Sequence, residues 1–295
     1  MSTTDTHVYQ ELITQPQLWR EVAELLSQQE AALPKPGHTV AVAGSGTSWF
    51  MATSYAVLRE EAGFGRTDAF ATSEFPVGRD YDHLVMLCRS GTTTEAVELL
   101  EQVAGRMVTT VITAVPDSPA ARAADHVIAL PFADERSVVQ TRFATTTLAL
   151  LRAHLGGDLE PAARDAEAAL EIDLTPLLGA EQCTFVGLGW TIGLAQEAAL
   201  KSREAAQFWT EAYPAMDYRH GPISIAQPGR LVWSLGEAPM GLATEVQSRG
   251  ATWVQHDLDP MAALVLAQRF AVAMSLARGL DPDHPRGLTR AVILN

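Results

Sequence analysis

Two patterns of apolar residues alternate along the first half of the chain. Short unbroken runs, "TVAVA" (39–43), "HLVMLC" (83–88), "MVTTVITA" (107–114) and "HVIAL" (126–130), predict buried strands, with a further strand in "RTDAFATSEF" (66–75). Between them stand stretches with helical spacing: "TSWFMATSYAVLREEAG" (47–63), "SGTTTEAVELLEQVAG" (90–105) and the short "SPAARAA" (118–124). Strands alternating with helices predict parallel βαβ units, with helices on both faces of the sheet. Ahead of them, "YQELITQPQLWREVAELLSQQEAAL" predicts an amphipathic helix broken near Pro16, with Leu18, Val22, Leu25 and Leu26 on one face. A long apolar helix follows in "VVQTRFATTTLALLRAHLG" (138–156), and the polar, alanine-rich "GDLEPAARDAEAALEID" (157–173) is taken as a crossover.

The second half echoes the first. "TFVGLGWTIGLAQEAALKSREAAQF" parallels "VAVAGSGTSWFMATSYAVLREEAGF", so that Gly44 and Gly46 recur as Gly187 and Gly189, 143 positions on. "RLVWSLGEA" echoes "HLVMLCRSG", and "EVQSRGATWVQ" echoes "LEQVAGRMVTTV". The expected organisation is an N-terminal helical segment, residues 1–35, and two tandem α/β domains, 36–157 and 158–295.

Composition narrows the class. The chain has 295 residues, 47% hydrophobic and 19% charged, an ordinary globular balance. Its formal net charge of −14 argues against nucleic acid or an anionic membrane as partner, because neither meets a basic surface. No uninterrupted apolar stretch of membrane-spanning length is evident, and "MSTTDTHVYQELITQ" has no secretory pattern, so the expected location is cytoplasmic. The two cysteines, Cys88 and Cys183, match no metal spacing and lie in strand-like runs; no metal or cofactor is expected.

Two turns in the first half carry hydroxyls where helices begin: Ser45, Thr47 and Ser48 in "GSGTSW", then Ser90, Thr92, Thr93 and Thr94 in "CRSGTTTEA". The first turn of a helix offers free N–H groups and the positive end of the dipole. With added hydroxyl donors it suits a phosphate, and Arg89 adds a cation beside Ser90. Capping alone would account for one such turn; two at neighbouring strand ends point to a small phosphorylated ligand. A dinucleotide fingerprint would need glycine at position 49, where Trp49 stands, and no Walker loop is present. In the second half, Glu197, Lys201 and Glu204 fall at i, i+4 and i+7 on one face of an alanine-rich helix, where charges must be paired or functional. His220, before Gly221-Pro222, falls in a loop.

On these motifs the chain resembles the SIS (sugar isomerase) family in its tandem form, as in the isomerase half of glucosamine-6-phosphate synthase and in amino-sugar-phosphate deaminases and isomerases. "GSGTSW" and "CRSGTTTEA" resemble the family's two phosphosugar loops. "ATSEF" and "VVQTRFATTTLALL" resemble further signatures of its first domain. "GLGWTIGLAQEAALKSREAAQFWTEAYPAMDYRHGP" is similar to its catalytic stretch, and "DPDHPRGLTRAV" to its C-terminal end. The resemblance implies two flavodoxin-like three-layer αβα domains with parallel sheets. It further implies a phosphate site at Thr47, Ser48, Ser90 and Thr93, with Ser45 and Arg89 beside it, and a homodimer with the site near the subunit interface. Glu204 matches the carboxylate that moves a proton between C1 and C2 of an open-chain sugar, and His220 the histidine of ring opening. Glu197 and Lys201 match residues lining the same site.

That chemistry is coherent. Aldose–ketose exchange needs one base that takes and returns the proton, and a closed site can tune a carboxylate for it. Histidine suits ring opening near neutral pH. The expected function is therefore isomerisation, or isomerising deamination, of a sugar phosphate such as glucosamine 6-phosphate; the alternative is a non-catalytic phosphosugar sensor. Three departures stand out. Cys88-Arg89 replace the family's Ser-Gln, Trp190 replaces a more polar residue, and Arg290 replaces a lysine. Arginine stays protonated, so Arg290 is excluded as a Schiff-base amine but retained as electrostatic support in catalysis. No cysteine nucleophile opens the chain, so glutamine-dependent synthesis is not expected of it.

Overall fold

The computed structural model describes residues 3–294. In chain order the elements are α1 (His7–Leu12), α2 (Gln15–Gln29), β1 (Val40–Gly44), α3 (Thr47–Glu61), β2 (Thr67–Ala71), β3 (His83–Leu87), α4 (Thr94–Val103), β4 (Val108–Thr113), α5 (Pro119–Ala123), β5 (His126–Ala129), α6 (Arg142–His154), α7 (Glu160–Ala169), β6 (Gln182–Gly187), α8 (Thr191–Ala206), β7 (Thr210–Pro214), β8 (Arg230–Ser234), α9 (Leu242–Ser248), β9 (Thr252–Val254) and α10 (Pro260–Ala277). Two all-parallel sheets form, of orders β2-β1-β3-β4-β5 and β7-β6-β8-β9. Each pairs its first two strands side by side and sets the third on the far side of the first, so the strand order reverses beside the first strand of each sheet. These are two parallel αβα layers, as the pattern of strands and helices predicts.

The chain divides into two compact units that do not follow the sequence boundaries at 35/36 and 157/158. The first-sheet unit comprises 17–135, 142–159 and the tail from 289; the second-sheet unit comprises the chain up to Pro16, 136–141 and 160–288. The N-terminal helices are therefore not a segment apart. The chain breaks after α1, and α2 starts at Gln15 with Pro16 in its first turn. Trp19, which the one-face reading omits, is fully buried and donates from Nε1 to Thr145 Oγ1 at 3.1 Å, whereas Leu25 and Leu26 are only half-buried.

In the first-sheet unit β1 and β3 are buried along their whole length, which is why they read as unbroken apolar runs. Arg59 of α3 is fully buried and donates to the carbonyls of Lys35, His38 and Gly65 and to Thr67 Oγ1, tying the entrances of β1 and β2 together. Helix α6 packs on α3 but begins at Arg142, not at Val138. The preceding residues 136–141 belong to the second-sheet unit, where Glu11 accepts from Ser137 Oγ (2.5 Å), Ser137 N–H (3.2 Å) and Arg136 N–H.

In the second-sheet unit the alanine-rich crossover is helix α7, whose Ala162, Ala163, Ala166 and Ala169 form one buried face against α10. Alanine there gives close approach at no side-chain entropy cost. Arg269 of α10 donates to the carbonyls of Ala169 and Ile172 at the end of α7. Helix α10 has the length and mean hydropathy, 1.5, to cross a membrane, but Gln268 and Arg269 interrupt its apolar run, and within the protein 72% of it is buried, against α8 and α7. Helix α8 stops at Gln207, whose φ of +48° closes the last turn, with Phe208 N–H donating to Ser202 O.

Candidate active site

The first hydroxyl loop leaves β1 through Gly44. A Cβ at Gly44 would stand 2.6 Å from the carbonyl carbon of Ser48, so only glycine lets α3 start this close to the strand end. Gly46 takes φ +55° and Thr47 and Ser48 open the helix, both buried. Ser45 is half-buried; its Oγ touches the Glu95 carboxylate and lies 3.2 Å from Thr72 Oγ1.

The second loop leaves β3 through Cys88, Arg89 and Ser90, all buried. Gly91, at φ +63°, passes so close to Ser118 that a Cβ would meet Ser118 Oγ at 1.9 Å. Ser90 Oγ accepts from Thr92 N–H at 3.2 Å, and Thr92, Thr93 and Thr94 are half-buried at the start of α4.

Arg89 does not offer its charge to this loop. Its Nη1 pairs with Glu135 at 3.4 Å, both side chains being buried, and its Nη2 donates to the carbonyl of Arg290 at 3.0 Å. Glu135 also accepts from Arg142 N–H at 2.9 Å. Arg290 in turn pairs with Asp134 and donates to the carbonyl of Glu135. Sequence reasoning missed Glu95, Asp134 and Glu135. Glu95 carried a signal, an acid in the first turn of a helix; "ADER" carried none beyond its charge. The tail then crosses the start of α4, where Thr94 N–H donates to Val292 O and Thr94 Oγ1 accepts from Leu294 N–H.

The second-sheet unit holds the other candidates. Glu197, Lys201 and Glu204 lie on one face of α8, as their spacing predicts. Lys201 is buried between Glu197, 3.6 Å away and itself fully buried, and Glu204, in contact and partly exposed. His220 ends a single 3-10 turn (Asp217–Arg219) before Gly221 at φ +132°; it is exposed, and its ring makes no hydrogen bond among the described residues. The segment "DPDHPRG" has a structural role: Asp283 accepts from His7 and Val8 N–H at 2.7 and 2.8 Å, capping α1. Thus Ser45, Thr47, Ser48, Arg89, Ser90, Thr93 and Arg290 belong to one unit, and Glu197, Lys201, Glu204 and His220 to the other.

Hydroxyl-bearing turns at the ends of parallel strands, each opening a helix, offer N–H and O–H donors of the kind that suit small anions. Residues 35–155 match the SIS domain family model. Over 310 residues the chain is 27% identical to the isomerizing glutamine–fructose-6-phosphate aminotransferase of Sulfolobus acidocaldarius, covering 91% of this chain and 52% of that protein. The chain therefore spans about half the length of the curated relatives it matches. Its fold is shared with the glucosamine-6-phosphate deaminase of Thermotoga maritima (TM-score 0.80, 24% identity, 98% of this chain and 100% of that one). It is shared likewise with the tagatose-6-phosphate ketose/aldose isomerase of Escherichia coli (TM-score 0.79, 21% identity, 97% and 99%).

Proposed function

We propose that this chain is a sugar-phosphate isomerase or isomerising deaminase acting on a hexose or hexosamine 6-phosphate. The observation that carries the reading is the Glu197–Lys201–Glu204 cluster: an ion-paired carboxylate set that is mostly buried yet leaves Glu204 partly exposed. A sensor needs hydroxyl loops alone, and a buried charge cluster is costly to retain without a use. In this reading Ser48, Ser90, Thr92 and Thr93, with the N–H groups of α3 and α4, hold the phosphate, so that binding energy positions C1 and C2. Glu204 takes the proton from one carbon and returns it to the other; Lys201 steadies the negative charge that develops on the enediol oxygen. His220 assists ring opening, and its exposure suits a residue lent to a partner's site in a dimer. The side chains of Arg89 and Arg290, engaged by Glu135 and Asp134, position the second loop and the tail.

The test is a panel of hexose and hexosamine 6-phosphates, read first by thermal stabilisation and then by ketose and ammonia formation. At least one sugar phosphate should raise the melting temperature and turn over. Glu204→Gln should then lower kcat by roughly 100-fold or more with the melting response kept. Unchanged turnover in that variant would refute the proton-transfer role.

A further inference from the structure

The first hydroxyl loop contains a contradiction for a phosphate site. Thr72 follows β2, Ser45 follows β1, and Glu95 opens the helix after β3, so three neighbouring strand ends bring these side chains together. Ser45 Oγ touches Glu95 Oε1 and lies 3.2 Å from Thr72 Oγ1. A serine hydroxyl has one proton to give, and a carboxylate has none. Shared along this chain, the Ser45 proton goes to Glu95 and the Thr72 proton goes to Ser45. What Ser45 has left for a ligand is a lone pair, beside a negative charge. A phosphate dianion needs donors and is repelled by a carboxylate. Ser90 is arranged the opposite way: its Oγ accepts from Thr92 N–H at 3.2 Å, which leaves its own proton to give.

We propose that Glu95 is a positioning residue that reverses the polarity of Ser45, so that Ser45, with Thr72 and Glu95, receives a hydrogen-bond donor on the sugar and takes no part in holding the phosphate. This rests on the phosphosugar reading above and refines it: Ser48 and the second loop remain the anion end of the site, and Ser45 of the first loop discriminates the sugar. The donor is a hydroxyl or ammonium group, and the two are separable by experiment.

Calorimetric titrations of wild type, Ser45→Ala, Glu95→Gln and Ser90→Ala with inorganic phosphate, fructose 6-phosphate and glucosamine 6-phosphate test it. Ser90→Ala should weaken all three ligands. Ser45→Ala should leave inorganic phosphate within about twofold and weaken the sugar phosphates about tenfold, the effect of one hydrogen bond. Glu95→Gln should tighten inorganic phosphate and weaken the sugar phosphates, with a larger loss for glucosamine 6-phosphate where the donor is ammonium and equal losses where it is hydroxyl. The decisive quantity is the ratio of sugar-phosphate to phosphate affinity within each variant, which a fraction of misfolded protein does not change. Loss of inorganic phosphate binding in Ser45→Ala equal to that in Ser90→Ala, with the ratio unaltered, overturns this inference and leaves the phosphosugar reading standing. A wild-type protein that binds none of the three ligands overturns both.

Discussion

Replacing Lys201 by methionine isolates the energetics of the α8 cluster. The two side chains are similar in length and girth, so the change removes an ammonium without opening a cavity. Glu197 then keeps a fully buried carboxylate and loses its ion pair with the ammonium, 3.6 Å away. At an effective dielectric near 20, the lost attraction is roughly 4–5 kcal/mol. Breaking a buried pair by removing one partner costs about 3–5 kcal/mol, of the same size. Glu204 adds little, because its carboxylate reaches solvent. The deficit should also depend on pH. With less positive charge beside it, the Glu197 carboxyl takes a proton more readily, so the variant should sit nearer wild type at pH 5 than at pH 8. Denaturant melts at both pH values measure this, with Glu197→Gln/Lys201→Met as the second variant. That double variant removes the buried charge altogether and should recover much of the loss, a strongly non-additive cycle. A Lys201→Met deficit under about 1 kcal/mol, flat with pH, would refute the argument that the ammonium compensates Glu197.

The remaining expectations concern the first-sheet unit. His83 is buried in β3, and its Nε2 is 2.7 Å from Thr110 Oγ1, which gives its own proton to Ala32 O at 2.5 Å. Burial, helped by the positive neighbours His126, His38 and Arg59, pushes its pKa down from 6.5 to about 4. The folded state thus holds the ring neutral, and this contribution is complete above pH 6.5 and lost as pH falls from 6.5 towards 4. Wild type should lose about 3 kcal/mol through this group, and His83→Gln should show a shallower acid slope in urea melts; an unchanged slope would sink the assignment. Gly91→Ala forces a Cβ to 1.9 Å from Ser118 Oγ at φ +63° and should cost about 3 kcal/mol by thermal melting. A variant melting with wild type would show that the second loop can move aside.

The fold was legible wherever a single local pattern determined it. β1 and β3 are central strands, buried on both faces, so their apolar runs were unbroken. The glycine turns showed because Gly44 and Gly187 each sit where a Cβ would strike the following helix. Helix α7 was obscured because alanines bury a face without the large apolar residues that mark one. The start of α6 was obscured because residues 136–141 answer to Glu11, some 125 positions earlier. At the candidate site, the face shared by Glu197, Lys201 and Glu204 followed from helical spacing alone. The fates of Arg89 and Arg290 did not, since Glu135 and Asp134 reach them from a distant loop.

Those pairings bear on how an acidic chain can hold an anion at all. Around the second loop the guanidinium groups of Arg89, Arg142 and Arg290 end on Glu135, on Asp134 or on main-chain carbonyls. Arg59 is likewise turned inward, onto carbonyls. Their charge stabilises the scaffold, and little of it faces the hydroxyl loops. In the phosphosugar reading proposed above, the ligand's negative charge is therefore left to dipoles: the opening N–H groups of α3 and α4 and the hydroxyls of Ser48, Ser90, Thr92 and Thr93. Dipoles are directional where a free cation is not, so such a site rewards tetrahedral oxygen geometry over charge as such. Arginine at position 89 departs from the glutamine usual in the resembling family without adding a cation to the loop, because its charge is matched by Glu135.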